Sequence, residues 1–154
     1  MFGFGKKKLS VGAVVPGRVI DIAEVPDAVF SSKMMGDGYA VEPAQDEILA
    51  PCDGQVVLVA DTLHALALEK DGVQLLIHMG LDTVELGGRG FEVLVQQGDP
   101  VKRGAVLARM DRGYVASQGK DTIVLVVLTN MAEKVASLAK DLTDPEALLS
   151  IQVK

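Results

Sequence analysis

Short runs rich in Val, Ile and Leu recur along the chain, each bounded by Gly, Pro or Asp-Gly punctuation. They are Val11–Val15, Val19–Ile22, Tyr39–Val41, Glu47–Ala50, Gln55–Val59, Ala65–Glu69, Val73–Ile77, Phe91–Val95, Val106–Met110, Thr122–Thr129 and Gln152–Val153. Asp37-Gly38, Asp53-Gly54, Asp71-Gly72 and Arg103-Gly104 supply turn chemistry between them. Many short strands at this spacing read as all-β, an antiparallel β-sandwich or barrel. One helix is expected after Asn130, which can cap it with Glu133 as the second half of a capping box; Val135, Leu138 and Ala139 follow at helical spacing. A second helical turn is expected over Pro145–Leu149, with Asp144 as its cap. The helices are thus one or two, short and peripheral.

No repeat, linker or low-complexity tract divides the chain. Its 154 residues fit one domain, set at residues 11–154 after a flexible N-terminal tail over residues 1–10. With 49% apolar residues and no Trp, the core must be mostly Val, Leu, Ile, Ala and Met. The net charge is −6, and it would be more negative without Lys6, Lys7 and Lys8. Such a body repels a phosphate backbone, which argues against nucleic-acid binding. The tail offers at most a transient membrane-surface contact through Phe2, Phe4 and its lysines, since three lysines are too few for stable binding. The longest strongly apolar run, Ile123–Leu128, is far below the ~20 residues that span a bilayer. The lone Cys52 cannot form an internal disulfide, and no signal peptide is legible, which fits a reducing cytoplasm. The initial Met favours a free-standing chain, expected to be monomeric.

The only two histidines, His64 and His78, flank one hairpin: Ala65–Glu69, a turn at Lys70-Asp71-Gly72, and Val73–Ile77. A three-residue loop places His64 directly opposite His78 on one face, with Cβ atoms ~5 Å apart. A two-residue Asp-Gly loop pairs residue 64 with residue 79 and sends the imidazoles to opposite faces. Side by side, two imidazoles suit two chemistries. One can attack phosphorus while the other donates a hydrogen bond to phosphoryl oxygen, or both can bind zinc.

Further residues favour the first. Ile77-His78-Met79-Gly80-Leu81-Asp82-Thr83-Val84-Glu85-Leu86 resembles the active-site signature of the glucose-type IIA components of the bacterial phosphoenolpyruvate-dependent sugar phosphotransferase system. Val25-Pro26-Asp27-Ala28-Val29-Phe30, Met35-Gly36-Asp37-Gly38, Ala50-Pro51-Cys52-Asp53-Gly54, Thr62-Leu63-His64-Ala65, Gly90-Phe91 and Thr129-Asn130 resemble the same family in the same order. The resemblance implies a phosphotransferase component with a phosphohistidine intermediate and no cofactor or metal. His78 is then the phosphorylated nucleophile, His64 the stabiliser of the phosphoryl group, and Thr62 the residue that orients His64. The donor is the phosphocarrier HPr, and the acceptor is a cysteine on a IIB domain of a membrane sugar permease. Val29, Phe30, Met34, Met35, Leu76 and Val84 match the family's docking patch, and Asp27, Asp37 and Asp82 are expected to ring it with negative charge. Two differences from the family carry expectations of their own. The turn between the histidines is one residue shorter, and Val124-Leu125 replaces a Ser/Thr-Pro pair, so that strand is expected to run on.

Two other readings are weaker. A zinc hydrolase needs further His and Asp ligands and a His-x-His pair, which are missing here. Gly98–Gly104 resembles a turn of biotinyl or lipoyl carriers, but Lys33 follows Ser32 rather than a methionine.

Overall fold

A computed structural model describes residues 7–154. The expected surface contact through Phe2, Phe4 and Lys6 lies outside the described residues. The strands are β1 (Lys8–Val11), β2 (Gly17–Asp21), β3 (Gly38–Pro43), β4 (Glu47–Leu49), β5 (Gly54–Val59), β6 (Ala65–Lys70), β7 (Val73–Met79), β8 (Phe91–Val93), β9 (Pro100–Val101), β10 (Val106–Met110), β11 (Val124–Leu128), β12 (Val135–Lys140) and β13 (Leu149–Val153). Every pairing is antiparallel. A seven-stranded sheet runs β2-β3-β11-β7-β6-β5-β9, and two three-stranded sheets run β1-β13-β12 and β4-β10-β8. Among the described residues, helix is confined to α1 (Ala28–Ser31), α2 (Arg112–Ser117), α3 (Met131–Lys134) and two 3-10 turns, Ile22–Glu24 and Thr83–Leu86. The all-β expectation holds.

The period-2 pattern of β7 explains its place. Val73, Leu75, Ile77 and Met79 are fully buried on one face, while Gln74, Leu76 and His78 are half-buried on the other. β11 is buried at all five positions because both faces of the sheet are covered there. Val124, Val126 and Leu128 join the main core. Leu125 and Val127 join a smaller cluster with Ile22, Val25, Phe30, Ala40, Leu81 and Ile123. This smaller layer lies on the His78 face, since Leu125 pairs with His78 and Val127 with Leu76. As expected, β11 runs on without a break through Val124-Leu125.

Gly38 allows this close packing. A Cβ there would overlap the Val126 carbonyl on the neighbouring strand. Gly38→Ala is expected to cost about 3 kcal/mol, the upper range for overpacking. Urea unfolding measures it, and an unchanged midpoint would contradict the close approach.

Three expectations need correction. Only Met131–Lys134 of the helix foreseen after Asn130 is helical, and Val135–Lys140 is the strand β12. The Asn130 side chain does not cap the helix; it accepts from the Gln74 N–H and donates to the Gly72 carbonyl. With β13 alongside to complete the backbone bonds of residues 135–140, tertiary pairing overrides the short helical period. Around Pro145 there is a turn rather than a helix: Asp144 Oδ1 accepts from the Glu146 N–H, and Leu149 already begins β13. Finally, the tail boundary falls earlier than residue 11, because β1 pairs with β13 from Lys8 onward.

Candidate functional site

The turn between β6 and β7 is the two-residue one. Lys70 closes on Val73, and Asp71 and Gly72 both have positive φ, 52° and 84°, as a type I′ turn requires. The ladder therefore pairs His78 with Ala65 rather than with His64. The three-residue loop was the wrong register, yet the imidazoles meet. His64 lies one residue outside β6, at the end of a turn in which Leu63 adopts φ +61 and donates its N–H to the Ala60 carbonyl at 2.8 Å. Freed from strand alternation, His64 swings to the His78 face. Its carbonyl still accepts from the Met79 N–H at 2.8 Å, joining the two segments. The ring centroids are 5.0 Å apart and the planes stand at 83°, edge to face.

Each ring is held by one nitrogen. His78 Nδ1 lies 2.8 Å from the Gly80 carbonyl, which can only accept, so Nδ1 carries the proton and Nε2 keeps its lone pair. His64 Nδ1 lies 2.6 Å from Thr62 Oγ1. The hydroxyl can donate to a neutral ring or accept from an Nδ1–H, and where it donates, or where the ring is cationic, His64 Nε2–H is a donor.

Electrostatics reinforce this asymmetry. Burial, and then the neighbouring His64, push the His78 pKa down from 6.5 to about 4, against the opposing pull of the Gly80 hydrogen bond, Asp27 and Asp82. Burial also lowers the His64 pKa. The unfolded chain takes up the His78 proton near 6.5 and the folded chain near 4, so acid within that window favours unfolding. Stability should be complete above the window and fall as pH drops through it. His78→Gln, which has nothing to protonate, is expected to flatten that slope in urea unfolding series. Identical slopes would contradict a neutral, desolvated His78.

Around the pair, Phe30 stacks at 4.9 Å from the His78 ring, tilted by 59°. Phe30 is buried and Leu76 packs half-buried against the same small cluster, so both hold the face together. Val29, Met34, Met35 and Val84 are exposed, Met34 most of all at 78%. Asp27 Oδ1 accepts from the Val29 N–H and so caps α1. Asp82 sits at φ +57, exposed and making no capping bond. Asp37 does not ring the patch as a free charge: its carboxylate pairs with Lys33 and Lys140 and accepts from the Gly38 N–H. Gly80 was missed as a contact of His78. The signal was available in the His-x-Gly spacing, because a residue free to adopt φ +79 can turn its carbonyl back onto the ring. Among the described residues, no group of three or more His, Cys, Asp or Glu is gathered to hold a metal ion.

The family model for the phosphoenolpyruvate-dependent sugar phosphotransferase system, EIIA 1, matches residues 9–134. The chain belongs to this EIIA family. Over its whole length this EIIA chain is 39% identical to the PTS system glucose-specific EIIA component of Staphylococcus aureus (strain COL), 93% of which is covered. It is 48% identical over 119 residues to the PTS system glucoside-specific EIICBA component of Staphylococcus carnosus (strain TM300). That alignment takes in 77% of this chain and 17% of the relative, so the chain spans under a fifth of its length. The fold matches glucose permease IIA from Mycoplasma capricolum with a TM-score of 0.78 at 32% identity, covering 99% of this EIIA chain and 98% of that one. Among the described residues of this EIIA chain, no helix is long and apolar enough to cross a membrane.

Proposed function

We propose that the chain relays a phosphoryl group from the phosphohistidine of HPr to a cysteine on a IIB domain of a sugar permease, working on the cytoplasmic side. The observation that carries this reading is the paired imidazoles, with His78 Nδ1 spent on Gly80 and Nε2 free beside His64. Family membership and the EIICBA arrangement of a relative support it. In the first step His78 Nε2 donates its lone pair to phosphorus, and the N–P bond of the carrier breaks with its electrons returning to the carrier imidazole. In the second, a thiolate attacks phosphorus and the His78 N–P bond breaks, restoring the Nε2 lone pair. His64, oriented by Thr62, donates Nε2–H to the phosphoryl oxygens in both steps. The chemistry asks for in-line positioning and charge stabilisation and little else.

Val29, Met34, Met35 and Val84 form the docking surface, with Phe30 and Leu76 as its floor. Methionine side chains adapt to two different partners on one surface. Asp27 and Asp82 flank His78 with negative charge that steers a basic carrier. Residues 11–154, extended to Lys8 by β1, serve as one transfer domain.

Incubation with labelled phosphoenolpyruvate, enzyme I and HPr tests the proposal. An acid-labile, base-stable label on the peptide containing His78 is the expected result. Label confined to another residue, or no label at all, would refute it.

A further inference from the structure

Among the described residues, Thr83 is fully buried, the one buried side chain that is neither aliphatic, aromatic nor sulfur-bearing. It opens the 3-10 turn after β7, and Asp82 at φ +57 turns the chain so that residue 83 comes back against residue 79. Its hydroxyl donates to the Met79 carbonyl at 2.6 Å. That carbonyl shares a peptide plane with the Gly80 N–H, which donates to the Ile123 carbonyl at 2.7 Å. The plane is therefore pinned at both ends. In the next plane, the Leu81 N–H donates to the Asp121 carbonyl at 3.1 Å, and the Gly80 carbonyl accepts from His78 Nδ1–H at 2.8 Å. The Thr83 methyl occupies the space beside Gly80: a Cβ on that glycine would stand 2.5 Å from Thr83 Cγ2.

We infer that Thr83 is a positioning residue for His78, its hydroxyl fixing the Met79–Gly80 segment whose carbonyl selects the Nδ1–H tautomer. The geometry stands by itself; only its consequence for transfer rests on His78 being the phosphoryl acceptor. Without the hydroxyl, the Met79–Gly80 plane keeps one anchor and can rock. The Gly80 carbonyl then drifts from Nδ1, and the ring also populates the tautomer with its proton on Nε2. That proton occupies the lone pair needed for attack. The hydroxyl carries this effect and the methyl does not, which separates positioning from packing.

Thr83→Val keeps the shape and deletes the hydroxyl, while Thr83→Ser keeps the hydroxyl. Imidazole 15N spectra at neutral pH report the tautomer, and acceptance from phospho-HPr reports the rate. Wild type and Thr83→Ser are expected to hold the Nδ1–H form. Thr83→Val is expected to show both tautomers and to accept phosphoryl about 10- to 100-fold more slowly, the scale of a small misplacement of a reacting group. A wild-type imidazole spectrum in Thr83→Val overturns the inference, whatever that variant's stability. If Thr83→Val is too unstable to measure, Thr83→Ser and Thr83→Ala are compared in stabilising osmolyte, and the same spectrum in both overturns it. A tautomer shift in Thr83→Val, combined with wild-type protein that takes no label, would support the clamp and remove the reading of His78 as acceptor.

Discussion

His78→Ala is expected to take no label from phosphoenolpyruvate through enzyme I and HPr. The loss should be complete rather than partial, because no second nucleophile stands ready. The other histidine, His64, has its Nδ1 engaged with Thr62 and lies one residue outside the hairpin ladder. The lone cysteine is buried, and burial pushes its thiol up to about 11, which keeps it protonated and inert. The variant should still fold. His78 projects from the half-buried face of β7, and the main core on the opposite face is untouched. Circular dichroism and urea unfolding establish that the protein is intact, and mass spectrometry then reads the label. Full labelling of a folded His78→Ala protein would rule out His78 as the acceptor.

The second large effect divides the two half-reactions. His64→Gln should still accept phosphoryl from HPr, since the amide keeps an N–H for the phosphoryl oxygens, but should pass it on about 100- to 1,000-fold more slowly, the scale of losing electrostatic stabilisation at a charged transition state. Acceptance depends on the His78 Nε2 lone pair, and that is set by Gly80 rather than by His64. Removing His64 also lifts one of the two influences that depress proton affinity at His78, so the nucleophile is not weakened. Onward transfer differs, because two negative partners meet there: a phosphoryl group and a thiolate. An imidazole beside them can carry a positive charge, whereas a glutamine amide supplies only a dipole. Single-turnover measurements with phospho-HPr, then with a IIB domain, separate the steps. Equal rates for wild type and variant in the second step would remove His64 from the chemistry.

Much of this architecture was legible from the chain. The alternation of β7 placed His78 on one face, and the apolar run within Thr122–Thr129 predicted a strand that runs on through Val124-Leu125; that both its faces are covered shows only in the fold. The hairpin between the histidines was legible as an element but not in its register. Lys70-Asp71-Gly72 is compatible with either loop length, and the choice follows from φ at Asp71, which a sequence does not display. The meeting of the rings then depended on the backward turn at Leu63, a conformation that non-glycine residues seldom adopt. The segment after Asn130 misled for a different reason. Val135, Leu138 and Ala139 satisfy a helical period, and only the presence of β13 beside them decides for a strand. Asp37 shows the same limit: its partner Lys140 is distant in sequence, so its neutralisation was invisible.

The central sheet separates two apolar layers of unequal size. The larger one holds the strands together, while the smaller one, which includes Phe30 of the helix α1, supports the face that carries His78. A substitution in the smaller layer can therefore reshape the surface around the imidazoles while the larger layer keeps the scaffold intact.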